Sequence, residues 1–459
     1  MTDQLPISQL EESLSGRLLF PGSPEFEKAG DIWNNRLKKS PRVIVCCENE
    51  RDVVKSVNFA REQNIPLAVR GGGHSYAGHG TMDNALMIDL SQMKGINIDV
   101  LGKKAVAQPG VLWGDFHEIS IGAGLAASGG TVSSVGVAGF TLGGGSGYLA
   151  RKHGLAIDNL LSVELVTADG SCLHVSESTE PNLFWAIRGG GGNFGIVTQF
   201  EFRLHEMNNE MLSGQVMYPF ADARTVLQAF REVMLKAPDE LVCYPCFFRI
   251  PPIPAFPESL HGQVVISLVI GYTGDIEEGK SVVQPLREIA EPIADTMGIQ
   301  SWVTVNQMFD PGVPYGMRWY TQAHDMDTLS DEAIDTTIQH AETLQGAFTF
   351  AYFDSLGGAI SRVPSNKTAY AGRDAQFGFH VLAGWIDGEE DAALINWAKA
   401  FHRDMEPFGN GGVYVNLLAE DEKDRIPAAY GANLPRLREI KKKWDPENLF
   451  RGNHNIAPD

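Results

Sequence analysis

A chain of 459 residues is longer than one hydrophobic core ordinarily organises, so two or three domains are expected, with room to bury a large ligand. Its 43% hydrophobic and 20% charged residues are the balance of a globular protein, and no apolar run approaches the roughly 20 residues that cross a bilayer. The formal charge of −20 at pH 7 repels phosphate backbones and anionic membranes, which argues against nucleic-acid and membrane partners and favours a small neutral, cationic or modestly charged substrate.

The first twenty residues, MTDQLPISQLEESLSGRLLF, carry acidic groups early and lack the basic and apolar regions of a secretory signal, so a cytoplasmic protein is expected. Five cysteines, at 46, 47, 172, 243 and 246, are too sparse and too odd in number for a disulfide framework. Cys243 and Cys246 have CxxC spacing, but no second pair completes a metal site and the flanking residues read as a core strand. No metal is expected.

In chain order, Val53, Val54, Val57 and Ala60 recur at helical spacing, Ile65 to Val69 read as a short buried strand, and a glycine loop follows. Leu160 to Thr167 and Cys172 to Val175 read as a hairpin around the turn Ala168-Asp169-Gly170. Ile196, Thr198, Phe200, Phe202 and Leu204 alternate with Val197, Gln199, Glu201 and Arg203, the period of a half-buried strand. Near residue 207 the glycine clusters stop. Beyond it, 264–272, 348–354 and 376–386 read as strands, and 276–290, 331–345 and 389–405 as amphipathic helices. A final helix is expected from Leu434 to Trp444, where Lys441 to Lys443 complement the helix dipole and need no other function. Both units are α+β.

Glycines crowd into 70–80, 122–147 and 189–195. In RGGGHS at 70–75, three glycines directly after a strand let backbone N–H groups approach an anion, a geometry suited to a pyrophosphate. The second cluster adds Gly129, Gly130, Gly136, Gly139, Gly143 to Gly145 and Gly147, with Thr131, Ser133 and Ser134 as hydroxyl donors to phosphate. The third, Arg188 to Gly195 with Asn193, leads into the alternating strand and suits the adenine end of a dinucleotide. The run Leu142 to Gly147 is not a clean GxGxxG after a strand, and no acidic residue follows at the expected distance, so a nicotinamide fold is rejected; nor is there a Walker GK[ST] for ATP.

The stretches RGGGHSYAGHG at 70–80, TVSSVGVAGFTLGGGSGYLARKHGLAIDN at 131–159, LFWAIRGGGGNFGIVTQFEF at 183–202 and WDPENLFRGNHNIAP at 444–458 resemble the berberine bridge enzyme-like branch of the vanillyl-alcohol oxidase superfamily. The resemblance spans nearly the whole chain. It implies a PCMH-type FAD-binding domain over 1–207, a substrate domain with an antiparallel sheet covered by helices over 208–411, and a C-terminal segment, 412–459, that returns to the FAD domain. It also implies that His74 is joined covalently to the 8α carbon of the flavin, a bond that an imidazole nitrogen can form and that makes the ring a stronger oxidant.

Within the matching stretches the residues expected at FAD are Arg70, Gly71, Gly72, Gly73, His74, Ser75, Gly130, Thr131, Ser134, Val135, Gly136, Gly139, Gly145, Gly147, His153, Gly154, Asp158, Asn193, Gly195, Ile196 and Val197, joined by Asn416, Asn453 and Asn455. Many members carry a second link through a cysteine where this chain has Val132, so a single link through His74 is expected. Oxygen access in the family depends on the residue just before GVxG, which is Val135 here, and a valine leaves room for dioxygen.

For the proton acceptor, Tyr414 of the YxN pattern ranks first and His380 second, with Tyr320, Tyr352 and Asp354 behind them and core packing the alternative for each. The chain departs from the family at Gly372, where a histidine is common, at Leu417, where some members place a second tyrosine, and on 379–385, which offers no carboxylate. The expected function is an oxidase acting on an alcohol, sugar, amine or phenolic carbon, with O2 as acceptor and H2O2 as product. The alternatives are a dehydrogenase with another acceptor and a non-catalytic flavin-binding protein.

Overall fold

The computed structural model describes residues 7–254 and 256–458, so the first six residues of the leading segment read above lie outside it. Among the described residues the N-terminal half builds two sheets. One runs, from edge to edge, Arg17–Leu19, Val43–Cys46, Leu86–Asp89 and Leu67–Arg70, the last three parallel. Such strands are buried on both faces, which is why they read as continuous apolar runs rather than alternating ones. The helix Glu50–Glu62, capped by the Asn49 side chain on the Asp52 N–H, turns its valines onto this sheet.

The other sheet is antiparallel, in the order Ile96–Asp99, Lys104–Ala107, Ile196–Arg203, Leu160–Val166 and Cys172–Ser176. The expected hairpin and the alternating strand are its right-hand half. Leu434–Trp444 is helical over the range read from sequence.

The second half of the chain forms an eight-stranded antiparallel sheet. Its order is Ala294–Asp295, Glu210–Pro219, Val264–Tyr272, Leu241–Arg249, Phe350–Ser355, Phe377–Trp385 and Arg318–Met326, with Gly298–Ser301 also paired to Glu210–Pro219. Helices Ala223–Met234, Ile276–Arg287, Asp331–Glu342 and Asp391–Met405 cover one face. Val226, Phe230, Ile334 and Phe401 from these helices meet Cys243, Phe247, Phe353 and Phe379 from the sheet in one core. The opposite face carries Tyr244, Cys246, Phe248, Tyr352 and Asp354 and looks toward the glycine loops. Period-two alternation therefore puts Cys243 and Cys246 on opposite faces of their strand, so the CxxC spacing makes neither a disulfide nor a metal site.

The C-terminal residues Val413, Leu418, Tyr430, Leu437 and Ile456 pack into the core of the antiparallel glycine-loop sheet beside Phe194 and Phe200. Lys441 has a structural task that its place in a basic run did not reveal. Its ammonium is fully buried and donates to Asn193 O at 2.7 Å, Phe450 O at 3.0 Å and Asp445 Oδ2 at 2.5 Å, tying the last helix to the third glycine loop.

Candidate active site

The first loop leaves Arg70 at the end of its parallel strand and turns at Gly73, whose φ of +68° is the left-handed conformation that side chains resist. It then runs against the second loop with no side chain between them. A Cβ on Gly72 would lie 2.6 Å from the Gly136 Cα and N, and one on Gly136 would lie 2.5 Å from Gly72 N. The third loop meets the C-terminal tail: Asn193 Nδ2 donates to Gly190 O at 2.9 Å and His454 O at 3.1 Å, and its Oδ1 accepts from the Ile456 N–H at 2.9 Å. Asn453 Nδ2 donates to Gly192 O at 3.0 Å.

These loops and the open face of the large sheet enclose one cavity of about 870 Å³. That is toward the upper end of the roughly 300–1,000 Å³ seen for ligand and cofactor sites. Of the residues expected at the cofactor, Arg70, Gly71, Gly72, Gly73, His74, Ser75, Gly130, Thr131, Val135, Gly136, Gly139, Asn193, Gly195, Ile196, Val197, Asn416 and Asn453 line it.

His74 is held from two sides. Its ring stacks on Trp33 with centroids 4.5 Å apart, Trp33 stacks in turn on Trp319 at 4.6 Å, and its Nε2 lies 3.1 Å from Ser134 Oγ. Burial lowers its pKa to about 3, which keeps the imidazole neutral at physiological pH.

Tyr414 faces the cavity from the tail segment. Its phenol oxygen accepts the Gly145 N–H at 2.8 Å and the Asn416 Nδ2 at 2.8 Å, and Asn416 Nδ2 also reaches Phe140 O at 3.2 Å. Burial raises the Tyr414 pKa to about 12, while the two donated hydrogen bonds act to lower it.

His380 is buried behind Tyr352, with the two rings stacked at 4.5 Å. Its Nε2 lies 2.9 Å from Asp354 Oδ2. The register explains the arrangement: Gly378 pairs with Asp354 on one side and Asp325 on the other, and the bare glycine leaves the space that the His380 ring fills. The strand Phe377–Trp385 carries no carboxylate, but its two neighbours supply one each. Burial lifts the Asp325 carboxyl to about 7, with His380 acting to lower it and Asp354 to raise it. Gly372 backs onto this cluster, since a Cβ there would stand 2.7 Å from Asp325 Oδ2 and 3.0 Å from Tyr370 Oη; a histidine does not fit.

A family profile described as FAD binding domain matches residues 41–176, and one described as berberine and berberine like matches 413–457. An FAD-linked oxidoreductase of Dictyostelium discoideum is 30% identical over 458 residues, covering 98% of this chain and 97% of that protein. The chain belongs to the berberine bridge enzyme-like family of FAD-linked oxidoreductases.

The (R)-6-hydroxynicotine oxidase of Paenarthrobacter nicotinovorans is similar to this flavoenzyme at 30% identity, over 97% of this chain and 98% of that one. The crystal structure of 6-hydroxy-D-nicotine oxidase from Arthrobacter nicotinovorans superimposes with a TM-score of 0.88 at 25% identity, covering all of both chains. The PCMH-type α+β architecture expected from the resemblance is thereby shown.

The residues of the flavoenzyme suit FAD on their own evidence. Asn453 Oδ1 and His79 Nε2 are buried at the cavity without a protein partner, and the glycine contacts leave backbone exposed where side chains would fill the cradle. Other expected residues sit elsewhere. Ser134 acts on His74, Gly145 on Tyr414, and Gly147 packs against Gly129 O. His153 stacks on His205 at 3.7 Å, Gly154 packs on Asp158, and Asp158 pairs with the buried Arg373 at 2.7 Å. Asn455 Oδ1 is buried and unpartnered outside the cavity lining. Ser133, read as a phosphate donor, instead gives its N–H to Asp310 at 2.9 Å. Tyr320 points to the helix side, where its hydroxyl meets Asp421 at 3.1 Å.

Tyr76, His79 and His454 also line the cavity and were not singled out in the sequence. His79 and His454 pack edge to face at 4.4 Å although 375 positions apart in chain order, a proximity without local sequence signal.

Proposed function

We propose that this flavoenzyme is an oxidase: it takes a hydride from a carbon bearing a hydroxyl or amine and a proton from that hydroxyl or amine, and O2 receives the electron pair as H2O2. FAD, when bound, supplies the two-electron acceptor ring. His74 is the attachment residue, supported by a ring that burial keeps neutral and that Trp33 and Ser134 hold in place. The link is single. Val132 lines the cavity as an apolar group, and Cys246, the cysteine among its lining residues, keeps its proton because burial raises the thiol to about 12.

The observation that carries the reading is the Tyr414 oxygen with its two donors. They favour the negative form of the phenol against the burial that raises its pKa to about 12, so Tyr414 Oη accepts the substrate proton once ionised, while Asn416 fixes its direction. His380 does not line the cavity and acts as a positioning residue, backing Tyr352 with its ring stacked at 4.5 Å. Val135 at the cavity wall leaves access for dioxygen. The substrate stays a small molecule, and no helix among the described residues is long and apolar enough to cross a membrane. Five free cysteines favour a reducing, cytoplasmic setting.

The test is direct. The purified yellow protein keeps its colour through acid precipitation, a substrate bleaches it without air, and admitted oxygen restores the colour with one H2O2 per turnover. A reduced enzyme that stays bleached in air for minutes would assign it to the dehydrogenases, and a protein that no alcohol, sugar or amine bleaches would make it a flavin-binding protein.

A further inference from the structure

We infer that the substrate is a flat apolar molecule of two or three fused or linked rings that carries its reacting hydroxyl or amine at one end, and that it is not an oligosaccharide. This names the substrate class of the oxidase proposed above and rests on that reading. The wall of the cavity beyond the reacting groups is a polarity gradient written into one strand. On Phe350–Ser355 the cavity-facing residues are Asp354, Tyr352 and Phe350, passing from charged through amphipathic to apolar. The adjacent strand repeats the trend, because Cys246 pairs with Tyr352 and Phe248 pairs with Phe350. Asp354 and Phe350 lie four steps apart along extended chain, a distance of roughly 13 Å at ~3.3 Å per residue. A ring system of that length spans the wall with its polar end at Asp354.

The far end is mainly apolar. Phe248 and Phe350 have no hydrogen-bonding side chain, and of the polar residues lining the cavity near them Ser267 Oγ donates to Gln215 Oε1 at 3.4 Å, while Thr349 Oγ1 is buried without a partner. Arg249 lies at the cavity with part of its guanidinium engaged, Nε donating to Leu344 O at 2.5 Å and Nη1 to Gly262 O at 2.7 Å. Each sugar hydroxyl buried there without a partner loses its water and gains nothing in return. An aromatic ring in the same place buries apolar area against two phenylalanines and gains edge or offset contacts besides.

Equilibrium calorimetry on the FAD-loaded enzyme without oxygen, alongside the flavin absorbance spectrum, tests this with 1-(2-naphthyl)ethanol, 1-(2-naphthyl)ethylamine, cellobiose and xylobiose. The naphthyl compounds are expected to bind at least about tenfold more tightly than either disaccharide. Phe350→Gln and, separately, Phe248→Asn should each weaken the naphthyl compounds by about tenfold or more while the flavin spectrum of the free enzyme stays as in the parent. Tighter binding of a disaccharide overturns the inference, as does unchanged naphthyl binding in whichever of the two variants retains its flavin. Naphthyl binding that both variants weaken, with no bleaching by any compound, supports the inference about the pocket and counts against the oxidase reading.

Discussion

Asn416 Nδ2 lies 2.8 Å from the phenol oxygen of Tyr414, and the same oxygen accepts the Gly145 N–H, so a side chain two positions away and a glycine loop 269 positions away converge on one atom. Removing that atom tests its role. Tyr414→Phe is expected to lower the rate of anaerobic flavin reduction by about 10²–10⁴-fold, the usual worth of a positioned general base, with little change in KM. Asn416→Ala, which keeps the phenol and removes one donor, should cost about ten- to a hundredfold and shift the rate profile toward higher pH, because the negative phenol loses a stabilising hydrogen bond. Rapid-mixing kinetics across pH read both.

His74→Ala should bind FAD without a covalent bond, so that acid precipitation separates yellow supernatant from colourless protein. In the parent the mass of the His74 peptide should rise by that of the attached flavin. Ser134→Ala removes the hydroxyl 3.1 Å from the imidazole and is expected to slow attachment without abolishing it, measured by the covalent fraction formed over time after FAD is added to apoprotein.

Lys441→Met should destabilise the protein by about 3–5 kcal/mol, since it leaves Asp445 charged and fully buried without its cation. Asp445 retains its hydrogen bonds from the Leu449 and Phe450 N–H groups at 2.7 and 2.9 Å, which limits the loss. Urea unfolding of the apoprotein measures it. Lys442→Met, in the same basic run but outside the buried pair, should stay within about 0.5 kcal/mol.

Stability should fall on acidification. Burial depresses the pKa values of His117, His324 and His402 from 6.5 to about 4, 3 and 4. The unfolded chain therefore takes up protons at these residues first. Their contribution to stability is complete above pH 6.5 and is lost as pH falls from there toward the folded values. Near pH 5 unfolding should take up about three protons from this group, seen as a falling thermal midpoint. His117→Gln should reduce that uptake by about one; an unchanged slope would show that its ring is charged in the fold.

The sequence by itself determined the local pieces and the cofactor class. Periodicity located the strand Val264–Tyr272 and the helix Leu434–Trp444; the glycine-rich stretches pointed to a dinucleotide, because backbone without side chains can approach a pyrophosphate, and the family resemblance of those stretches narrowed it to FAD. Tertiary structure alone decided what those pieces do to one another. The strand 377–385 has no carboxylate, yet the register sets Asp354 and Asp325 on its two neighbours opposite Gly378, an outcome of sheet order rather than of any residue's flanks. His153 and Asp158 stand in a matching stretch yet turn to His205 and Arg373. Lys441 reads as one of three surface lysines, but helix phase buries it. In each case local sequence sets the backbone's conformation, whereas the partner of a side chain is set by chain that folding brings in from elsewhere, 215 positions away for Asp158 and Arg373 and 248 for Lys441 and Asn193, and that information is not local.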